Sequence, residues 1–158
     1  MPIKPITRYK PAKSSRETPA QILLHEAGER PTAARLAVLD ILLATATALT
    51  HTDIAAAARE AGVEMDRVTL YRVLDWLVEK GLAHKIAGDD RVWRFNAMAG
   101  NGPSQVGAHE HAHFQCSRCG RLYCLDDLRP VFAFTLPPGF RCDHAELTLR
   151  GICPDCGK

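Results

Sequence analysis

The chain has no apolar run long enough to cross a bilayer. Ile22 to Leu24 is too brief, and the stretch 36–49 is short and broken by Asp40. Its start, Met1 to Lys13, is basic and proline-containing, without the apolar core of a secretory signal. The expected compartment is therefore cytoplasmic, where thiols stay reduced. A strong charge imbalance is also missing: the net charge is +2, so the overall balance says little about nucleic acid. The distribution says more. Lys4, Arg8, Lys10, Lys13 and Arg16 precede the first acid, Glu17. Residues 1–17 thus read as a basic flexible arm that either touches phosphates or stays a solvated tail. Neither cysteine pair sits in a thioredoxin-like pattern. No small organic substrate site is evident, and no enzyme activity is expected.

What the chain does have is cysteine and histidine near its end. All six cysteines lie beyond residue 115, and four of the seven histidines beyond residue 105. Cys116-Ser117-Arg118-Cys119-Gly120 and Cys153-Pro154-Asp155-Cys156-Gly157 are two CxxCG knuckles. Two such pairs close one tetrahedral site, with thiolates ~2.3 Å from an ion such as Zn²⁺ that imposes no geometry of its own. The glycine after each pair is expected to permit a tight turn. Disulfides, redox pairs and an iron–sulfur cluster are the other readings of such cysteines, and structural zinc is the expectation. A zinc hydrolase would need an open coordination position beside a base. His111, His113 and Glu110 offer one on paper, but the CxxC pairs argue for a closed site.

His109, His111 and His113 alternate, so they share one face of a strand that begins that early. With Cys124 on the adjacent strand and His84 from the first half, they form a candidate second site of mixed ligands. Imidazole and thiolate favour zinc, whereas imidazoles with carboxylates would admit Fe²⁺ or Mn²⁺. An all-thiolate site is structural. A mixed site that fills and empties with cellular metal would fix the angle between the two halves.

The first half reads as helices separated by caps. Thr18 precedes a helix over about 19–27 with proline at its first position. Thr32 caps a second helix, broad in its apolar surface, and Thr50 caps an alanine-rich third that ends at Gly62. Asp66 caps a fourth, Arg67 to Lys80, with Val68, Tyr71, Val73, Leu74, Leu77 and Val78 toward the core and Arg67, Thr69, Leu70 and Arg72 outward. Leu82–Ile86 and Val92–Phe95 are short strands joined by 87–91. The whole is a winged helix-turn-helix, whose second helix would enter a major groove. Arg67, Thr69 and Arg72 are then candidate base contacts and Tyr71 a phosphate or sugar contact. A core Tyr71 with solvated arginines is the plainer reading of the same periodicity. At the start of the third helix, His51 reads as a polar surface residue.

Residues 96–108, rich in glycine, form a link between domains. Beyond it, strands are expected at 111–115 and 122–125, a helix at 126–135, and a strand at 140–150 that returns beside the first. The class is α+β. Residues 18–97 form a winged-helix domain, 98–108 a hinge, and 109–158 a small zinc-stapled α/β domain.

Taken together, Arg30-Pro31-Thr32-Ala33-Ala34-Arg35, Val68-Thr69-Leu70-Tyr71-Arg72-Val73-Leu74, Gly81-Leu82, His109 to Gly120 and Gly151-Ile152-Cys153-Pro154-Asp155-Cys156 resemble the ferric uptake regulator family over roughly residues 20–157. Within it the zinc uptake regulator branch is most similar. The resemblance implies a cytoplasmic, metal-responsive repressor that dimerises through its C-terminal domain and binds palindromic operators of metal-uptake genes. It implies a structural zinc on Cys116, Cys119, Cys153 and Cys156, and DNA contacts from Tyr71 and Arg72. The zinc branch's sensing ligands fall on His84, Phe95, His109 and Cys124. Phe95 cannot ligate, which leaves Asp89, Asp90 or His111 as its substitute. Positions where the ferric branch carries a histidine and an acid hold Ala48 and Val131, which weakens iron and manganese sensing. The alternatives are an iron- or manganese-responsive regulator of the same architecture, and a zinc-stapled interaction or metal-buffering protein without specific DNA recognition.

Overall fold

The computed structural model describes residues 17–98, 112–128, 130–142 and 145–158. Residues 1–16 of the basic arm, most of the hinge, His109 and His111 lie outside the described residues. The chain divides into two compact units, 1–104 and 105–158.

In the first unit the order is α1 (Pro19–Glu26), α2 (Ala33–Leu43), β1 (Leu49–Thr50), α3 (His51–Glu60), α4 (Arg67–Glu79), β2 (Ala83–Ala87) and β3 (Trp93–Ala97). Each helix starts at the residue its sequence marks. Thr18, Thr32, Thr50 and Asp66 are extended N-caps whose side chains accept a backbone N–H three residues on. Such a bond satisfies one of the donors that a helix start leaves unpaired. At α3 the box is reciprocal. Asp53 N–H donates to Thr50 Oγ1 at 3.2 Å, and Thr50 N–H and Oγ1–H donate to Asp53 Oδ2 at 2.9 and 2.7 Å. Thr50→Ala is expected to cost about 1–2 kcal/mol, read by urea unfolding followed by circular dichroism. No loss would mean that water replaces the cap without penalty.

The core of this unit gathers Leu24, Val38, Leu39, Leu42, Ile54, Leu74, Leu77 and Phe95, none with exposed surface. The Arg30–Arg35 motif ties α2 to α4: the Arg35 guanidinium lies 3.6 Å over the Trp76 ring. Two residues of α4 trade places relative to expectation. Leu70 is buried and Val68 is 59% exposed, because the buried stripe runs Leu70, Val73, Leu74, Leu77 at helical spacing.

The wing is antiparallel, in the order β1-β3-β2. β1 was not expected from the sequence, being only two residues long. It pairs Leu49 with Phe95 and Thr50 with Arg94, which sets the start of α3 at the base of the wing. At the wing tip both Asp90 oxygens accept from Arg94, at 2.8 and 2.7 Å, and the guanidinium holds that carboxyl well below the usual carboxylate range. Gly88 leaves room for this pair, since a Cβ there would collide with Arg94.

The second unit contains β4 (Ala112–Cys116), β5 (Leu122–Leu125) and β6 (Thr148–Gly151), in the order β5-β4-β6. β5 runs antiparallel to β4. β6 returns parallel to β4 on the other side, pairing His113 with Thr148 and Cys116 with Gly151. The expected helix at 126–135 does not form among the described residues. Residues 125–128 instead close a turn, with Leu128 N–H donating to Leu125 O and Leu128 O accepting from Ala112 N–H. Pro130 follows, and Val131, Phe132 and Phe134 are exposed. A helix here would bury no face within the described chain, and short helices depend on such burial. The strand expected over 140–150 shortens to Thr148–Gly151.

Candidate metal centre and nucleic-acid interface

Cys116 ends β4 and Cys153 follows β6, so the parallel pairing of these strands carries the two knuckles to one place. The four Sγ atoms of Cys116, Cys119, Cys153 and Cys156 lie within 4.8 Å of one another. Cys119 Sγ and Cys153 Sγ are 3.8 Å apart, the edge of a tetrahedron with metal–sulfur bonds of ~2.3 Å. The donors and their spacing therefore fit a thiolate-bound ion.

The knuckles are held by their own backbone. Gly120 N–H donates to Cys116 O at 2.9 Å, and Gly157 N–H to Cys153 O at 3.0 Å. Gly120 needs its missing side chain, with φ +71°. Gly157 does not adopt a positive φ, so only the first knuckle requires the conformational freedom of its glycine. Arg118 Nη1 donates to Cys156 O at 2.5 Å, and Arg121 pairs with Asp155 at 2.7 Å, bracing one knuckle against the other.

Ionisation within the cluster is uneven. N–H groups of Cys119 and Cys153 pull the Cys116 thiol down to about 6. The Tyr123 hydroxyl lowers Cys153. Burial and the neighbouring sulfurs push Cys156 up to about 12, and burial also raises Cys119. Four thiolates this close repel, and a divalent cation at their centre offsets that repulsion.

The same sheet carries the other candidate ligands that are described. His113 on β4 and Cys124 on β5 are direct cross-strand partners. Their side chains share one face, with Cβ atoms about 5 Å apart, and both are buried. His84 lies on β2 of the first unit opposite Asn96, and its side chain is buried. Phe95, the position that cannot ligate, is fully buried in the first unit's core. Asp90 is a poor substitute ligand, since Arg94 occupies both its oxygens.

α4 presents the candidate DNA contacts in its first turns. Arg67 and Arg72 are exposed and Tyr71 is half-buried. The Thr69 hydroxyl donates to Asp66 Oδ2 at 2.7 Å, so it offers a groove its lone pairs rather than its proton. Arg67 Nη2 donates to the Tyr71 hydroxyl at 3.2 Å. Two residues outside the expected set, Val68 and His51, stand beside these candidates. Val68 offers methyl groups of the kind that meet a thymine methyl, and its outward position follows from the registry of the buried stripe. His51 stacks on Tyr71, and only the observed packing reveals it.

Comparison with known proteins shows the family. The model of the ferric uptake regulator family matches residues 26–128. The transcriptional regulator FurA of Mycobacterium tuberculosis is 33% identical over 136 residues, covering 84% of this chain and 86% of the relative. The zinc uptake regulation protein of Escherichia coli is 27% identical over 130 residues, covering 80% and 72%. The fold is shared with a zinc uptake regulator solved with zinc and DNA, at a TM-score of 0.61, 24% identity and coverage of 89% and 97%. By its motifs, its paired knuckles and these relatives, the chain belongs to the ferric uptake regulator family.

Proposed function

We propose that the chain is a zinc-responsive transcriptional repressor that acts as a homodimer on operator DNA. The observation that carries this reading is one small sheet bearing both a closed four-thiolate set and a buried imidazole–thiolate pair, His113 and Cys124. The first set suits a permanent structural Zn²⁺. The second is the core of a regulatory site, with His84, His109 and His111 as further candidate ligands. Nitrogen and sulfur donors together favour zinc over Fe²⁺ or Mn²⁺.

DNA recognition is assigned to α4. Arg67, Arg72 and Val68 face base edges in a major groove, Thr69 accepts, and Tyr71 meets the backbone or a base edge. The second copy is assigned to the apolar run of the second unit. Val131 is 93% exposed and Phe140 69%, with Phe132, Phe134 and Leu136 between them. A monomer would leave this patch in water, and a dimer interface of aromatic and aliphatic side chains removes it. No helix among the described residues is long and apolar enough to cross a membrane.

The test is metal content per protomer, before and after a mild chelator wash, with duplex binding measured on both samples. About two zinc ions falling to about one, with duplex binding lost and then restored by zinc, is expected. Restoration by Fe²⁺ or Mn²⁺ at lower free concentration than zinc would assign a different signal. Binding unchanged by the wash would leave a DNA-binding protein without metal control.

A further inference from the structure

His51 is the first residue of α3, and its ring is the centre of an aromatic stack. The Tyr71 ring lies parallel to it, at 4.0 Å between centroids and 23° between planes. The Phe95 ring meets it edge-on at 4.8 Å and 76°. Phe95 is fully buried in the core and belongs to the wing. The stack thus joins α3, α4 and β3, and it ends on the one tyrosine assigned to DNA.

We infer that His51 is a positioning residue for DNA recognition: backed edge-on by Phe95, its ring fixes the Tyr71 ring and hydroxyl at the surface of α4. The inference rests on the reading that Tyr71 meets DNA. Tyr71 has one other described support, Arg67, which donates to its hydroxyl and lies 5.3 Å over its ring. Arg67 is itself a candidate DNA contact, and a guanidinium turned to a base or phosphate releases the tyrosine. The stack on His51 is then the contact that persists in the bound state. A flat ring at position 51 holds Tyr71 by its face and leaves the hydroxyl open to solvent.

Burial first, and then neighbouring charge, favours the neutral form of His51. Burial, Lys85 of β2 and Arg67 of α4 lower its pKa, while Asp75 of α4 works against them. A neutral imidazole lies flat on a phenol ring without introducing a cation between Arg67 and Lys85, and such aromatic pairs add to the packing that simple burial gives.

The experiment uses the zinc-loaded full chain and a duplex that the wild type selects from a randomised pool, with an unselected duplex of equal length as reference. His51→Ala is expected to weaken binding to the selected duplex about tenfold, with the unfolding midpoint little changed; an equal loss on the reference duplex would place the Tyr71 contact on the backbone, and a loss confined to the selected duplex would place it on a base edge. His51→Phe, which keeps a stacking ring, should restore affinity to within about twofold of wild type. Combined with Tyr71→Ala, the His51→Ala loss should disappear, because there is no ring left to position. An unchanged affinity for His51→Ala, a full additional loss in the double variant, or no rescue by phenylalanine would overturn the role of His51. If Tyr71→Ala alone costs nothing, the assignment of Tyr71 to DNA fails first and takes this inference with it.

Discussion

Replacing Cys116 with serine is expected to release the structural ion and unfold the second unit, while the helical signal of the first unit persists. The size of the effect follows from what the second unit has to hold it together. Among its described residues the buried side chains are Ala112, His113, Gln115, Cys116, Leu122, Cys124 and Cys153. Only Ala112 and Leu122 are plain hydrocarbon, and a sheet this short with so little apolar burial is marginal by itself. A structural zinc supplies roughly 10–16 kcal/mol of apparent binding energy in small zinc modules, which is comparable to the whole stability of a typical domain. Serine keeps the shape of the side chain and loses the soft anionic donor. It also forfeits a thiol that the N–H groups of Cys119 and Cys153 lower to about 6.

Two measurements check this. Metal analysis of the purified variant should find almost none, since the proposed regulatory pair stands on the same sheet as the knuckles. Limited proteolysis should cut beyond residue 105 and spare the helices packed on Leu39, Leu74 and Phe95. A variant that keeps its ion and resists cleavage would show that the unit folds without the four-thiolate set.

The legible part of this molecule is the part governed by local chemistry. Thr18, Thr32, Thr50 and Asp66 mark helix starts because a short oxygen-bearing side chain is needed there, whatever the tertiary context. The two knuckles are legible for a similar reason, since a metal ion demands donors at fixed spacing. The return of the last strand beside the first followed from bringing those knuckles together. What failed to show depends on distant partners. The helix expected at 126–135 had the right composition, but its apolar residues have nothing in the described chain to pack on. Val68 and Leu70 are both apolar and two residues apart, so choosing the buried one required knowing where α2 and β3 lie. His51 looked like a surface residue at a helix start, because neither Tyr71 nor Phe95 is near it in sequence. Contacts of that kind are set by the two-residue strand β1, which carries almost no signal of its own.

Removing the imidazole of His113 is expected to separate the two metal functions. In His113→Ala, the four-thiolate site should keep about one zinc ion per protomer, because none of its ligands is touched. The second ion should be lost, or should bind only at ~100-fold higher free zinc, since the variant removes the nitrogen donor that faces Cys124 across the strands. The effect on DNA is then a matter of coupling. A regulatory ion that favours the DNA-binding form by 1–3 kcal/mol changes operator affinity about 5–150-fold. The variant should bind duplex at the weak level of chelator-washed wild type and gain nothing when zinc is added. His84→Ala is the companion measurement: an equal loss of zinc response assigns that imidazole to the same ion, and a normal response removes it from the ligand set. The sharpest contrary result would be a His113→Ala protein that still carries two ions and still tightens on DNA with zinc. In that case the buried His113–Cys124 pair packs the sheet rather than senses metal, and the regulatory ligands lie elsewhere. Because Cys116→Ser removes the unit and His113→Ala removes only the response, the two variants together assign folding to one set of ligands and signalling to the other.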